Sequence, residues 1–399
     1  MGIRSNRTLE AARVYYLVLL VSLLWFMVQF LRFVFPPLFE TFQAVYDISN
    51  TETGLLFTSI MLSYSAVQFP SGILGDRLGL PAVIIGGAAV FTGAALLAAL
   101  SPTFLVLTLA AMSIGLGTGP HKTVAIPLLS RRYTEHPGRV LGVMDTVGQL
   151  GGMTAPLVVI ALTSVFVWQS VFVLGAAVSA TLALLFYRAV RRDPSLDVDR
   201  PSPKRRDSKA DGDGPSYRAV FADRRLLAFV LVTVLFTFTW NGVSSFLPLF
   251  LATEKGIPTG TAGVLYSLLF AMTFSQTITG ELGDRAGKLT VSVALFATMS
   301  VGIVALLTAN SIVALIGATV VLGLGFHGFR PVRDAYLMEI IPKGVGGGTL
   351  GAVRTFMTGI GALAPATIGV LSDAVGFVSA FVFLGCTTAV AGAVTLVLR

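Results

Sequence analysis

The sequence predicts an all-α membrane protein of about twelve spanning helices in two pseudo-symmetric six-helix bundles. Three observations carry that expectation. Hydrophobic residues fill 54% of the 399 positions and charged residues only 12%, where an ordinary soluble domain carries roughly 25% charged residues. Apolar runs of about 20 residues, the length that crosses a bilayer, recur along the chain, and mean hydropathy is +0.83. A set of short motifs also occurs twice, in the same order and at nearly constant separation.

The apolar segments lie near 14–39, 53–75, 82–100, 103–130, 139–165, 168–189, 226–252, 260–282, 289–309, 311–341, 346–371 and 376–397. The first exceeds the apolar region of a signal peptide, and further spans follow it directly. The 42 glycines suit helices that pack closely inside a membrane. The single cysteine, Cys386, excludes an intramolecular disulfide and any paired-cysteine metal or redox motif, so no metal or cofactor is expected.

Net charge is +8. In a soluble chain this would suggest nucleic acid; here its position relative to the membrane matters, and no nucleic-acid partner is expected. With a cytoplasmic N-terminus, 22 of the 28 Lys and Arg residues fall on the inner side, five lie within spans, and Lys255 alone is outside. Glu40, Asp47 and Glu52 fall in the first outer loop. The positive-inside rule therefore puts both termini in the cytoplasm of a multi-pass protein of the cytoplasmic membrane. Residues 191–225 are polar, rich in Pro and Gly and densely charged, which cannot build a core and reads as a tether. The expected division is an N-terminal bundle over 1–190, a cytoplasmic linker over 191–225 and a C-terminal bundle over 226–399.

The repeat fixes the architecture. Gly72-Ile-Leu-Gly-Asp76-Arg77-Leu-Gly79 returns as Gly280-Glu-Leu-Gly-Asp284-Arg285-Ala-Gly287, and Gly115-Leu-Gly117 as Gly323-Leu-Gly325, both offset by 208. Leu141-Gly142 with Ala155-Pro156 returns as Leu350-Gly351 with Ala364-Pro365 at 209, and Pro37-Leu-Phe39 as Pro248-Leu-Phe250 at 211. Such repeats imply two halves related by an axis along the membrane normal.

The doubled GxxxDRxG signature after the second and eighth spans, with the charged middle linker, resembles the major facilitator superfamily over the whole chain. That resemblance implies two bundles rocking around a central cavity lined by spans one, four, seven and ten. It also implies gating by the loop after span two: Asp76 faces the positive end of a neighbouring helix, Arg77 anchors to carboxylates, and Gly72 and Gly79 let the chain turn. Gly280, Asp284 and Arg285 repeat the device. The usual basic pair is replaced by Leu80-Pro81, although the second copy keeps Lys288. An ordinary Asp-Arg helix end is the plainer reading.

Other patterns exclude functions. Gly142, Gly148, Gly151, Gly152 and Pro156 resemble an antiporter motif, but helix packing with a proline kink accounts for them. Gly323-Leu-Gly-Phe-His-Gly328 fits a nucleotide-binding pattern without the strand that such a motif needs, and no Walker A motif is present.

Charges inside spans are costly and mark function. Arg32, Lys122, Arg330, Arg333 and Arg354 stand against Asp145 and Asp334, with Glu339 near a cytoplasmic end. Lys122 and Arg330 are repeat-equivalent, 208 apart. Two facing cations repel unless an anion lies between them, and a substrate carboxylate, phosphate or sulfonate meets that need. The alternative is neutralisation by protein, with Asp145 paired to Arg354 and Arg333 or Arg330 paired to Asp334 or Glu339. Gln29-Phe-Leu-Arg32 before Pro36-Pro37, and Tyr64 to Gly72, resemble organophosphate and organic-anion carriers of the superfamily. His327, Trp240 and Asn241 complete the expected substrate-binding set; for Trp240, plain packing is the competing reading.

The sequence thus points to a monomeric secondary transporter, not an enzyme, that moves a small organic or phosphorylated anion by alternating access. Arg32, Lys122, Arg330 and Arg354 would bind it. Proton coupling would use Asp145, Asp334 or His327, and exchange against phosphate would need no titrating group. The alternative is a proton-coupled drug or multidrug exporter of the same fold.

Overall fold

Where no water reaches the backbone, a chain must bond its own N–H and C=O groups, and a helix does so within one segment. The computed structural model describes residues 2–193, 223–340 and 355–399, with side chains from Tyr16 onward in the first stretch. The described chain is all helical. The expected linker lies outside the described residues except at its ends.

In order, α1 spans Gly2–Phe33, α2 Phe39–Tyr46, α3 Asn50–Leu78, α4 Leu80–Ala99, α5 Phe104–Thr118, α6 Pro120–Arg132, α7 Pro137–Thr163 and α8 Gln169–Arg192. Beyond the linker, α9 spans Arg224–Thr253, α10 Thr259–Ala271, α11 Ser275–Ala286, α12 Lys288–Thr308, α13 Ile312–Ile340, α14 Ala364–Val375 and α15 Phe377–Leu398. Among the described residues, ten helical runs are long and apolar enough to cross a membrane. One of these, Thr355–Leu398, contains the break at Gly376, where φ is +86°. The 29-residue α3 stands outside the ten.

Several expected spans are interrupted where proline or a short turn intervenes. The first gives way after Phe33 to a 3-10 turn over Pro36–Leu38. The fourth divides at Gly119, because Pro120 has no N–H to donate and favours the first position of a new helix. The eighth is α10 and α11 joined by a 3-10 turn over Met272–Phe274.

The described contacts form two compact units, one of Met1–Val34 and Ala66–Pro203, the other of Phe35–Ser65 and Lys204–Arg399. Residues 35–65, expected with the N-terminal bundle, therefore cluster with the C-terminal residues. The cause is backbone packing between the start of α3 and α14, where a Cβ on Gly54 would sit 2.3 Å from Pro365 O.

The repeat is visible in local geometry. Gly79 (φ +93°, ψ 142°) and Gly287 (φ +90°, ψ 134°) adopt nearly one conformation, and each leads directly into a helix. L side chains avoid that region, which fixes glycine at both turns. Within the first unit, a Cβ on Gly117 would lie 2.5 Å from Phe91 N; within the second, a Cβ on Gly325 would lie 2.5 Å from Met299 Cγ and 3.1 Å from Met299 N. Positions 117 and 325, like 91 and 299, are 208 apart.

Gly117→Leu is expected to destabilise the protein by about 1–3 kcal/mol through overpacking against backbone. Gly86→Leu, placed where nothing lies within 4 Å, should leave stability near its starting value. Thermal unfolding of the purified variants in detergent checks both.

Candidate functional site

In the first unit, α1 and α6 bring a tryptophan, a histidine and a cation together. The Trp25 and His121 rings stack at 5.8 Å, 6° from parallel, and Lys122 Nζ lies 5.6 Å from the Trp25 ring centroid. His121 Nε2 sits 3.1 Å from the Val21 carbonyl. Trp25 has room because residue 148 on α7 is glycine: a Cβ there would lie 2.0 Å from Trp25 Cδ1. Lys122 Nζ also bonds Asp145 Oδ1 at 2.8 Å. Arg32 is buried, donates to Gln29 Oε1, and lies 5.7 Å from the Phe33 ring. Trp25, Gln29 and Arg32 are spaced by four and three, which puts them on one face of α1.

The second unit builds a matching trio. The Arg330 guanidinium lies 4.6 Å over buried Trp240, and His327 meets that indole edge-on at 5.4 Å. Phe270 and Phe326 close on Trp240 at 5.6 and 5.3 Å, both edge-on. Gln276 Nε2 stands 3.5 Å from His327 Nδ1, and Asn241 is buried beside Trp240 in the chain. The attraction between a cation and an aromatic face strengthens when the pair is desolvated. A cation against an aromatic wall is thus assembled in each half, although the two tryptophans are 215 positions apart, one helical turn more than the first-helix offset of 211.

Three ion pairs join the acids of this set to cations. Asp145 pairs with Lys122, its neighbour across the α6–α7 contact, and Arg354, its alternative partner, lies outside the described residues. Glu339 pairs with Lys288 at 2.9 Å, since both stand at the same end of α12 and α13. Arg333 and Asp334 pair at 2.8 Å, as one of the alternatives had it. In the repeated Asp-Arg motif, Gly72 lies within α3 and Gly280 within α11. Asp76 and Arg77 are exposed at the end of α3 and make no ion pair among the described residues. Arg285 pairs with Glu281 one turn back, and Asp284 lines a cavity of about 300 Å³ with Lys288, Tyr336 and Glu339.

Trp25 was absent from the expected set. Its spacing from Arg32 is legible in the sequence, but its contact with Lys122 depends on how α1 meets α6. Gln276 likewise reaches His327 only through the packing of α11 on α13.

The sequence signature of the Major Facilitator Superfamily matches residues 21–273 and 231–399. The chain belongs to the major facilitator superfamily. It is a multi-pass membrane transporter and not an enzyme. Among its relatives, the 3-(3-hydroxy-phenyl)propionate transporter of Escherichia coli is 26% identical over 342 residues, 82% of each chain. The probable sulfoacetate transporter of Cupriavidus necator is 24% identical over 359 residues, 82% of this chain and 80% of that one. A bacterial homologue of the human lysosomal transporter Spinster, solved inward-facing and unoccupied, superposes with a TM-score of 0.80 at 16% identity over 97% of both chains.

Lys122 and Asp145 side chains are 35% and 48% exposed, so the protein does not enclose the pair. A double-mutant cycle with Lys122→Met and Asp145→Asn is expected to give a coupling of about 1 kcal/mol or less. Thermal unfolding of the four proteins measures it, and a much larger value would mark the pair as a structural keystone.

Proposed function

We propose that this transporter moves a small organic anion across the cytoplasmic membrane by alternating access between two six-helix halves, 1–190 and 226–399. Counting two helices in Thr355–Leu398 and adding α3 to the ten apolar runs gives twelve. The observation that carries the reading is the trio of cation, tryptophan and histidine repeated in each half. Arg330 on Trp240 and Lys122 on Trp25 join a cation to a flat apolar surface, and that pairing suits a carboxylate or sulfonate attached to a carbon skeleton. The relatives named for a phenylpropionate and for sulfoacetate favour the same class.

Arg330, held over the Trp240 face, is the anchor this reading assigns to the anion, with Lys122, Arg32, Arg354, His327 and Asn241 in the shell. Arrival of the anion at Lys122 requires Asp145 to release it. A proton on Asp145 achieves that release, which makes proton symport the coupling this arrangement favours; Asp334, bound to Arg333, is the second acid available. Asp76 and Arg77, and their repeats Asp284 and Arg285, each serve as gating residues at the inner side, and both termini face the cytoplasm.

Neutralising Arg330 removes a charge-assisted contact worth about 1.5–3 kcal/mol, or about ten- to a hundredfold in affinity. Arg330→Gln should therefore abolish most of the thermal stabilisation given by 3-(3-hydroxyphenyl)propionate or sulfoacetate while the protein still inserts. Arg330→Lys should restore only part of it, because the planar fork is lost. Lys122→Gln should also weaken binding. If Arg330→Gln and Lys122→Gln both keep the full response to an anion that stabilises the wild type, the anion reading fails and the drug-exporter reading takes its place.

A further inference from the structure

The first turn of α3 is bonded in two ways. Ser49 and Glu52 cap it locally: Ser49 N donates to Glu52 Oε2 at 2.9 Å, and Glu52 N donates to Ser49 Oγ at 3.2 Å. Thr53 N reaches Ser49 O at 3.0 Å. The next two free donors are satisfied from a distant part of the chain. Asn50 N donates to Asp373 Oδ1 at 3.2 Å, Thr51 N to Asp373 Oδ2 at 2.8 Å, and the Thr51 hydroxyl to the same oxygen at 2.6 Å.

Asp373 stands in the last turn of α14, where a negative charge opposes the dipole of its own helix. Its favourable field comes from the N-terminus of α3 instead. The two helices run antiparallel, and the bonding is reciprocal: Ala366 N, in the first turn of α14, donates to Thr58 Oγ1 at 2.9 Å. Farther along, Ser65 Oγ and Thr358 Oγ1 lie 2.9 Å apart. Between these bonds the backbones touch. A Cβ on Gly54 would lie 2.3 Å from Pro365 O, and one on Gly369 would lie 2.4 Å from Asn50 O. The repeat adds a parallel: Thr259, which is 208 positions after Thr51 and opens α10, donates its hydroxyl to Glu40 Oε2 at 2.6 Å.

Residues 50–65 belong by sequence to the first repeat and residues 358–373 to the second, so this seam joins parts that a rocking transporter must separate. Its polar contacts are hydroxyls and helix-end groups, which water can satisfy on opening. We propose that Asp373 is an electrostatic latch that holds the outer ends of α3 and α14 together and is broken and remade in each transport cycle. The proposal rests on membership of the transporter family and not on the anion reading, so it applies to any substrate.

The test uses the full-length protein in intact cells, with Cys386→Ser as background and one reporter cysteine replacing the fully buried Ser245. A membrane-impermeant methanethiosulfonate reagent is added outside. Asp373→Asn and Thr51→Val should each raise the initial labelling rate, Asp373→Asn by about tenfold, as expected when a charge-assisted hydrogen-bond set is lost. Gly54→Val, which forces the backbones apart, should raise it without touching the charge. Wild-type labelling rates in both Asp373→Asn and Thr51→Val, with Gly54→Val accelerated, would reduce Asp373 to a helix cap and overturn the latch. Wild-type rates in all three would show that the seam does not gate access, which also overturns it. Thr51→Val keeps the test decisive if Asp373→Asn fails to insert, and substrate binding is not part of the readout.

Discussion

In the hydrocarbon interior a polar group finds its partner within the protein or bears a cost of several kcal/mol. That constraint decides where the unusual residues of this chain can stand. Arg32 is bonded to Gln29 one turn away and His121 to the Val21 carbonyl. The same rule makes helices the only element in the described chain. It also explains why glycine carries the packing: lipid tails give helices little hydrophobic reason to associate, so close approach at positions such as Gly117, Gly151 and Gly325 supplies van der Waals contact instead.

Duplication adds a second layer. Gly79 and Gly287 preserve one backbone conformation, and the contacts of Gly117 and Gly325 preserve one helix crossing, because both serve the scaffold. The trios have diverged. His121 stacks flat on Trp25 whereas His327 meets Trp240 edge-on, and Phe270 and Phe326 add two more rings around Trp240, over which Arg330 lies.

The two ends of the chain's helices are treated differently. At the ends bearing the doubled Asp-Arg motif the charged groups are exposed, as with Asp76, Arg77 and Asp284, or paired on the surface, as with Arg285 and Lys288. At the other ends, α3 and α14 meet through backbone contact and a carboxylate cap. Surface ion pairs contribute little and exchange readily with water, and helix caps contribute about 1 kcal/mol each. Both kinds of contact are weak enough to be remade repeatedly, as a cycling transporter requires.

The sequence by itself determined the helices, the repeat and the family, because hydropathy, motif spacing and charge asymmetry are local quantities set by solvent and by chain geometry. It also supplied the intramembrane cations, which stand out wherever charge is scarce. Pairing was a different matter. Asp145 meets Lys122 across the contact of α6 with α7, and Trp25 entered the site only through the contact of α1 with α6. Asp373 gave no signal at all, since an acid near the end of a helix looks like an ordinary surface residue until α3 is placed against it. Which side chains meet depends on helix crossings and sub-ångström clearances at glycines more than a hundred positions apart in sequence, and only the tertiary structure decided them.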